Sequence, residues 1–315
     1  MMERAPRMGI IGARRARQGL GPFVARDLTA AGCNVVGFCT SSPATVEEAR
    51  RQLLSFDVDA EGFGSAAELL AAGLELDGVA ILSPAQSHAE HLGLALAANL
   101  HVLCEKPLLI QGDSPEPLLR SFEEGNLLLL ENCQWPAALE SLAQQDPRFS
   151  GAPKTSFAMG LAPEGRGMVL LEESLSHPIS LLQECLGSEL SFGRPRWDWS
   201  PGQEAVTVQF DAMAQQRTIS VSIELACSDA RPRPAWIEFD GLRAHREVNP
   251  EDYSMGFRLG EEMFPIPDPL TTHLAHFSGL LRATIGGSEP PPPSPIIQRA
   301  ALFDALIQNA LINLP

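Results

Sequence analysis

Over residues 7–130, short runs of wholly apolar residues alternate with amphipathic stretches at helical spacing, and no other feature constrains the fold as much. RMGIIGA (7–13) reads as a buried strand running into a glycine turn. GLGPFVARDLTAA (19–31) reads as a helix, with Pro22 tolerated in its first turn. NVVGFC (34–39), DGVAIL (77–82), LHVLC (100–104) and NLLLL (126–130) are further strands; 45–55, 65–72, 87–98 and 114–124 are helices, with Thr45 or a neighbour, and Ser65, as caps. A strand that is apolar on both faces must be covered on both. Such strands separated by helices therefore predict a doubly wound parallel sheet.

The pattern changes near residue 150. AVTVQFDA (205–212), RTISVSIELAC (217–227) and AWIEFDGL (235–242) alternate apolar with polar, as antiparallel strands with one solvated side do. A helix around 171–186 precedes them. Helices over 270–285 and 296–313 flank the proline-rich GGSEPPPPSP. With 315 residues, the chain is long enough for two domains. The predicted class is α/β: a Rossmann domain over 1–135 and an α+β domain with a mainly antiparallel sheet over 136–315.

Charge and cysteine usage narrow the function. The net charge is −16, spread evenly, with no basic arm, which argues against nucleic-acid or anionic-membrane partners. No apolar run reaches transmembrane length and the N-terminus does not read as a signal peptide. The six cysteines form no C-x-x-C pair and most lie in apolar runs, so buried free thiols and a cytoplasmic location are expected. Of 23 basic residues only Lys106 and Lys154 are lysines. Where any positive charge serves, this chain uses Arg, so a lysine draws attention to chemistry that needs an amine.

Gly12 sits where a dinucleotide-binding turn places its first glycine, at the junction of strand and helix. There backbone N–H groups face a pyrophosphate. Arg14 and Arg17 stand at the second and third glycine positions of G-x-G-x-x-G, and Gly19 and Gly21 arrive later, as in a longer loop. Arg14, Arg15 and Arg17 crowd near a helix start, where cations are disfavoured unless an anion joins them; pointing into solvent is the alternative. The second strand ends in Cys39-Thr40-Ser41-Ser42, with no carboxylate to take the ribose 2′-hydroxyl. Hydroxyls and arginines suit a 2′-phosphate. Gly12, Ala13, Arg14, Arg15, Thr40 and Ser41 are thus candidate cofactor contacts, with NADP expected and NAD possible.

Residues 79–109, VAILSPAQSHAEHLGLALAANLHVLCEKPLL, carry a strand, a Ser83-Pro84 turn with His88, a helix, a short strand and Glu105-Lys106-Pro107. This run resembles the glucose-fructose oxidoreductase/inositol dehydrogenase/MocA family of dinucleotide-dependent oxidoreductases. The resemblance implies that Lys106 lies by the nicotinamide and the substrate hydroxyl. It also implies a cis bond before Pro107, and cofactor-side positions for Ser83, Pro84, His88 and Glu105, with a core role for His88 and a structural one for Glu105 as alternatives.

GMVLLEESLSHPIS (167–180) is similar to the family's segment with a carboxylate four residues before a histidine. Glu173 and His177 keep that spacing, which places them on one helical face. The resemblance makes Lys106, His177 and Glu173 the catalytic set. Glu173 stands where Asp is usual, Ser180 replaces a following Asp, and Pro178 directly follows the histidine. His273 and His276 form an H-x-x-H without further ligands, so no metal is expected.

The leading reading is an NADP(H)-dependent oxidoreductase moving hydride to or from a small hydroxyl- or carbonyl-bearing substrate, sugar- or cyclitol-like by the resemblance. The alternatives are a non-catalytic dinucleotide-binding sensor or partner protein, and a family enzyme with non-redox net chemistry. Trp197, Trp199, Phe210, Trp236 and Phe239 on the second domain's strands lead us to expect self-association through that sheet, as a homodimer or larger.

Overall fold

A computed structural model describes residues 4–14, 19–110, 115–150, 153–251 and 253–314. The chain divides into two units: one comprises residues 1–132 and 270–297, the other 133–269 and 298–315.

The first unit runs β1 (Arg7–Ile11), α1 (Gly21–Ala30), β2 (Asn34–Cys39), α2 (Val46–Leu54), β3 (Glu61–Phe63), α3 (Ala66–Ala71), β4 (Gly78–Ile81), α4 (His88–Ala97), β5 (His101–Glu105), α5 (Pro115–Glu124) and β6 (Leu129–Asn132). The six strands order as β3-β2-β1-β4-β5-β6, every pairing parallel. The order reverses beside β1, where open α/β sheets bind ligands at their carboxyl ends. Met8, Ile10, Val35, Phe38, Ala80 and Leu103 join one core cluster, while Ile11, Cys39, Val79, Ile81, Val102 and Cys104 join another. This two-sided burial is what the unbroken apolar runs demand.

The second unit contributes α6 (Trp135–Gln145), β7 (Ser156–Leu161), α7 (Met168–Ser174), α8 (Ser176–Leu186), β8 (Ser191–Phe192), β9 (Arg196–Trp199), β10 (Ala205–Ala214), β11 (Arg217–Ala226), β12 (Ala235–Phe239), β13 (Leu242–Val248), β14 (Met255–Leu259) and β15 (Glu262–Ile266). Helices α9 (Pro269–Ile285) and α10 (Ser294–Ile312) close the chain. The strands form one mixed sheet, β15-β14-β13-β12-β7-β11-β10-β8 with β9 on β10; only β7 and β11 pair in parallel.

Four expectations are corrected. The 136–315 domain gives up residues 270–297, because Leu270, Leu274, Phe277 and Leu281 of α9 pack into the core of the first sheet. Arg282 of α9 also donates to the Ala31 carbonyl at the end of α1, at 2.8 Å. Thr45 precedes α2 but makes no side-chain cap; its hydroxyl donates to the Ser42 carbonyl instead. The helix around 171–186 is two helices that meet at Leu175. Pro178 has no N–H for the Ser174 carbonyl, so the helical ladder breaks there. Finally, Phe210 and Phe239 are buried in the core of the second unit, and Trp197 and Trp199 pack against it. Of the five aromatic residues expected to drive association, only Trp236 lies on the other face, under the Arg243 guanidinium at 3.6 Å.

Candidate active site

Gly12 follows β1 with φ +92°, a left-handed conformation that glycine adopts readily. A Cβ there would lie 2.7 Å from the backbone of Leu82 and Ser83, so the β1 turn rests directly on the end of β4. The Gly12 and Ala13 N–H groups both donate to the Cys39 carbonyl at 3.1 Å. Gly21, the first residue of α1, meets this turn from the other side. Its Cβ would lie 2.6 Å from the Gly12 carbonyl oxygen. The close approach between helix and turn, for which the usual motif uses its third glycine, falls here to Gly21 at the end of a longer loop.

A cavity of about 590 Å³ opens over this turn, lined by Gly12, Arg14, Thr40, Ser41, Ser83 and Pro84 among others. Six of the residues picked from sequence thus share one wall. Arg15 lies outside the described residues. Ala13 is fully buried and contributes through its backbone. The cavity also takes in Gly64, Ser65 and His91, which the sequence reading missed as site residues. Ser65 does cap α3, accepting from the Glu68 N–H at 3.2 Å, and that was its only legible signal.

Arg14 has found an anion within the chain: its Nε lies 2.9 Å from Glu48 of α2, at the surface. Thr40 is buried and its hydroxyl donates to the Ser42 carbonyl at 2.8 Å, while Ser41 is exposed. Ser83 Oγ, in the turn after β4, and Nδ1 of His91 on α4 are 2.9 Å apart, and burial pushes the His91 imidazole below its usual value.

His88 corrects its expected cofactor contact. It is wholly buried, with Nε2 2.9 Å from the Ser83 carbonyl and Nδ1 2.9 Å from that of Pro107. The ring therefore ties the turn after β4 to the turn after β5. Lys106 follows β5, half-buried, and the Lys106–Pro107 bond is cis. Glu105 accepts from Asn132 Nδ2 at 2.7 Å, its register partner on β6. Burial pushes the Glu105 carboxyl up, against the opposing pull of Lys106 and Asn132. Glu105 thus belongs to a half-buried pair at the strand ends and does not line this cavity, and the sequence carries no signal for Asn132.

In the second unit Glu173 lies in the last turn of α7 and His177 in the first turn of α8. Glu173 Oε2 accepts from the Glu164 N–H at 3.1 Å. The His177 ring lies 6.3 Å from that of Trp135, with its Nδ1 3.6 Å from Cys133 Sγ. Ser180 is buried; its hydroxyl donates to the His177 carbonyl at 2.7 Å and accepts from the Cys133 thiol at 3.1 Å. Among the described residues no group of three His, Cys, Asp or Glu side chains is placed to hold a metal ion. His273 donates through Nε2 to the Glu131 carbonyl at 3.1 Å, and His276 is exposed. All six cysteines are free, and no described helix is long and apolar enough to cross a membrane.

The parallel sheet with its β3-β2-β1-β4-β5-β6 order and the cavity at its switch point define a Rossmann domain. Residues 6–132 match the family model described as "Oxidoreductase family, NAD-binding Rossmann fold". The fold of the whole chain is similar to that of KijD10, a 3-ketoreductase from Actinomadura kijaniata in complex with NADP: TM-score 0.71 at 21 % identity, covering 96 % of each chain. It is also similar to an inositol dehydrogenase homologue from Azotobacter vinelandii, complexed with NADH and myo-inositol (TM-score 0.71, 15 % identity, 98 % of this chain and 96 % of that one). An oxidoreductase from Agrobacterium radiobacter, in complex with NAD+, L-tartaric acid and magnesium, gives TM-score 0.70 at 16 % identity over 98 % of this chain and 97 % of that one. At these identities the likeness establishes the fold. No curated protein matches the chain.

Proposed function

We propose that the protein is an NADP(H)-dependent oxidoreductase acting on a small hydroxyl- or carbonyl-bearing substrate, sugar- or cyclitol-like, with NAD(H) as a weaker alternative. The observation that carries this reading is the cavity at the ends of β1, β2 and β4, walled by Gly12, Arg14, Thr40, Ser41 and Ser83. A side chain at Gly12 would close the approach between turn and strand end, and the loop after β2 offers hydroxyls and no carboxylate. Both features fit a phosphorylated dinucleotide. KijD10 and the inositol dehydrogenase homologue, crystallised with NADP and NADH, lend support by analogy of fold.

The nicotinamide, when bound, supplies or accepts the hydride. The chain's own part is binding and proton handling. Arg14 exchanges Glu48 for the 2′-phosphate. Lys106 and His177 hold and move the proton of the substrate oxygen, and Glu173 orients. Glu105 and Asn132 fix the end of β5, and with it the origin of the Lys106 side chain. We place the protein in the cytoplasm, in keeping with its six free thiols.

The test is a screen of polyols, sugars and their keto forms read at the nicotinamide absorbance with NADPH and NADH. Turnover with at least one is expected; dinucleotide binding with none turned over would leave the sensor role. We further propose self-association through the open face of the second sheet. Its expected apolar drive falls to Trp236 alone, framed by the Arg243–Glu238 pair at 2.7 Å. A strictly monomeric mass by light scattering at micromolar concentration would rule this out.

A further inference from the structure

Two half-buried arginines of the second unit carry buried donor atoms with no hydrogen-bond partner among the described residues. Arg246 lies on β13, one register step past the Trp236–His245 pair and opposite Phe257, a wholly buried residue of β14. Its side chain is therefore on the core face, not the solvated one. The guanidinium lies 5.5 Å from the Trp135 ring, whose other neighbour is the His177 ring. Arg246 Nη2 donates to the Arg233 carbonyl at 2.8 Å. Arg246 Nε is buried and has no hydrogen-bond partner among the described residues, and the same holds for Nε and Nη2 of Arg233.

Carboxylates stand nearby but leave these donors open. Glu164 Oε1 is 3.1 Å from Arg233 Nη2, outside hydrogen-bond geometry, and the same oxygen pairs with Arg231. The Glu164 N–H is taken by Glu173. Burial pushes the Arg233 guanidinium below its usual value, with Glu173 opposing. Burial and then Arg233 push Arg246 down to about 10. Arg231 and Arg233 thus share Glu164, while the charged neighbour of Arg246 is Arg233 itself.

Buried donors without partners call for an explanation, and like charges held together in a desolvated place call for a counter-ion. Nε and Nη2 of Arg233 form the guanidinium edge that grips a planar carboxylate with two parallel hydrogen bonds. A phosphate ester would bring a second negative charge up to Glu164 and Glu173.

We propose that Arg233 and Arg246 bind a carboxylate carried by the substrate, which makes the protein's substrates hydroxy or keto acids, such as sugar acids, and not neutral sugars. This rests on the proposed oxidoreductase reading for the word substrate; the carboxylate site itself does not.

The test uses the full-length protein and binding as well as turnover. All four tryptophans lie in the second unit, so intrinsic fluorescence reports the surroundings of Trp135. D-gluconate, D-glucitol and D-glucose 6-phosphate are titrated with NADPH present. Gluconate should bind at least about tenfold more tightly than glucitol, which differs by the carboxylate alone. Arg233→Gln and Arg246→Met should each remove that margin and leave NADPH affinity unchanged. The wild-type comparison holds even if a variant fails to fold. Equal binding of gluconate and glucitol, or tighter binding of the phosphate ester, overturns the proposal. Gluconate binding that depends on both arginines, with no hydroxy acid ever turned over, supports the site and removes the oxidoreductase reading. Turnover of neutral sugars with kcat/KM unmoved by the arginine variants does the reverse.

Discussion

Replacing Gly21 by Ala isolates the contact on which the dinucleotide turn depends. Gly21 is the first residue of α1 and does not need a left-handed φ, but Pro22 follows it, and a Cβ before proline disfavours the helical region, which adds to the cost of alanine there. In an open helix the change stabilises by about 0.5–1 kcal/mol. Here the new methyl would sit 2.6 Å from the Gly12 carbonyl oxygen and 2.7 Å from Ala13, against 3.4 Å for ordinary contact. Both obstacles are backbone, so no side chain can swing aside. Either α1 moves by a large fraction of an ångström or the turn does. The helix is held by Val24, Ala25 and Leu28, all wholly buried, and the turn by the Cys39 carbonyl. Forcing an extra methyl into such a place costs about 1–3 kcal/mol.

Gly93 on α4 gives the matched control, because nothing lies within 4 Å of its Cβ. The expected result is a change of opposite sign: Gly93→Ala stabilises, and Gly21→Ala raises local opening of α1 roughly five- to 150-fold. Hydrogen exchange read by mass spectrometry on peptides spanning α1 and α4 measures both; tryptophan fluorescence would not, since the first unit contains no tryptophan. NADPH should bind at least about tenfold more weakly to the Gly21 variant, because a misplacement approaching 1 Å degrades a positioned site on that scale. If Gly21→Ala protects α1 as Gly93→Ala protects α4, the account of the turn is wrong.

Three other predictions follow from the same geometry. NADPH should bind roughly ten- to a hundredfold more tightly than NADH, as a charge-assisted arginine–phosphate bond provides. Arg14→Ala should abolish the preference and Glu48→Gln enlarge it, by nicotinamide fluorescence titration. Lys106→Ala should lower kcat by about 10²–10⁴ with far less effect on NADPH affinity, and Lys106→Arg should not restore it, since guanidinium does not release its proton at working pH. Asp146 accepts from Arg148 at 2.6–3.0 Å, which holds its carboxyl below the usual range; its contribution is full above the ordinary carboxylate range and is lost as pH falls through the lowered value. Urea midpoints from tryptophan fluorescence should therefore fall below about pH 4 in the wild type, with a shallower fall in Asp146→Asn.

What was legible in the sequence was what leaves a local mark. β1, β4 and β5 are buried on both faces, so their apolar runs stand out. The turns around Gly12, Pro84 and Pro107 carry residues that backbone geometry requires. β3 escaped notice because it is three residues long and partly exposed. β13 escaped because Leu-Arg-Ala-His-Arg-Glu-Val places two arginines in a strand with one wholly buried residue. The sixth strand was expected over 126–130 but runs Leu129–Asn132. The leucines before it are buried without being in the ladder, and its last two residues are buried polar groups no apolar count would include. α9 was given to the second domain on chain order alone; an amphipathic face does not say which sheet it covers. Arg233 and Arg246 were invisible for a related reason. They are 13 residues apart on a loop and a strand, and only the turn between β12 and β13 brings one guanidinium to the other's carbonyl.

The departures from the family pattern around His177 are themselves structural substitutions. Pro178 ends the ladder of α7 and restarts it as α8, which puts His177 in a helix's first turn, where proline is at home. With no carboxylate at position 180, the segment needs another polar anchor. Ser180 supplies it from within: its hydroxyl donates to the His177 carbonyl and accepts from Cys133, whose sulfur is also 3.6 Å from the His177 ring. Trp135 covers the ring from α6. A buried polar set with its partners met holds a side chain in one place, so the altered motif keeps His177 positioned with serine and cysteine in place of a charge.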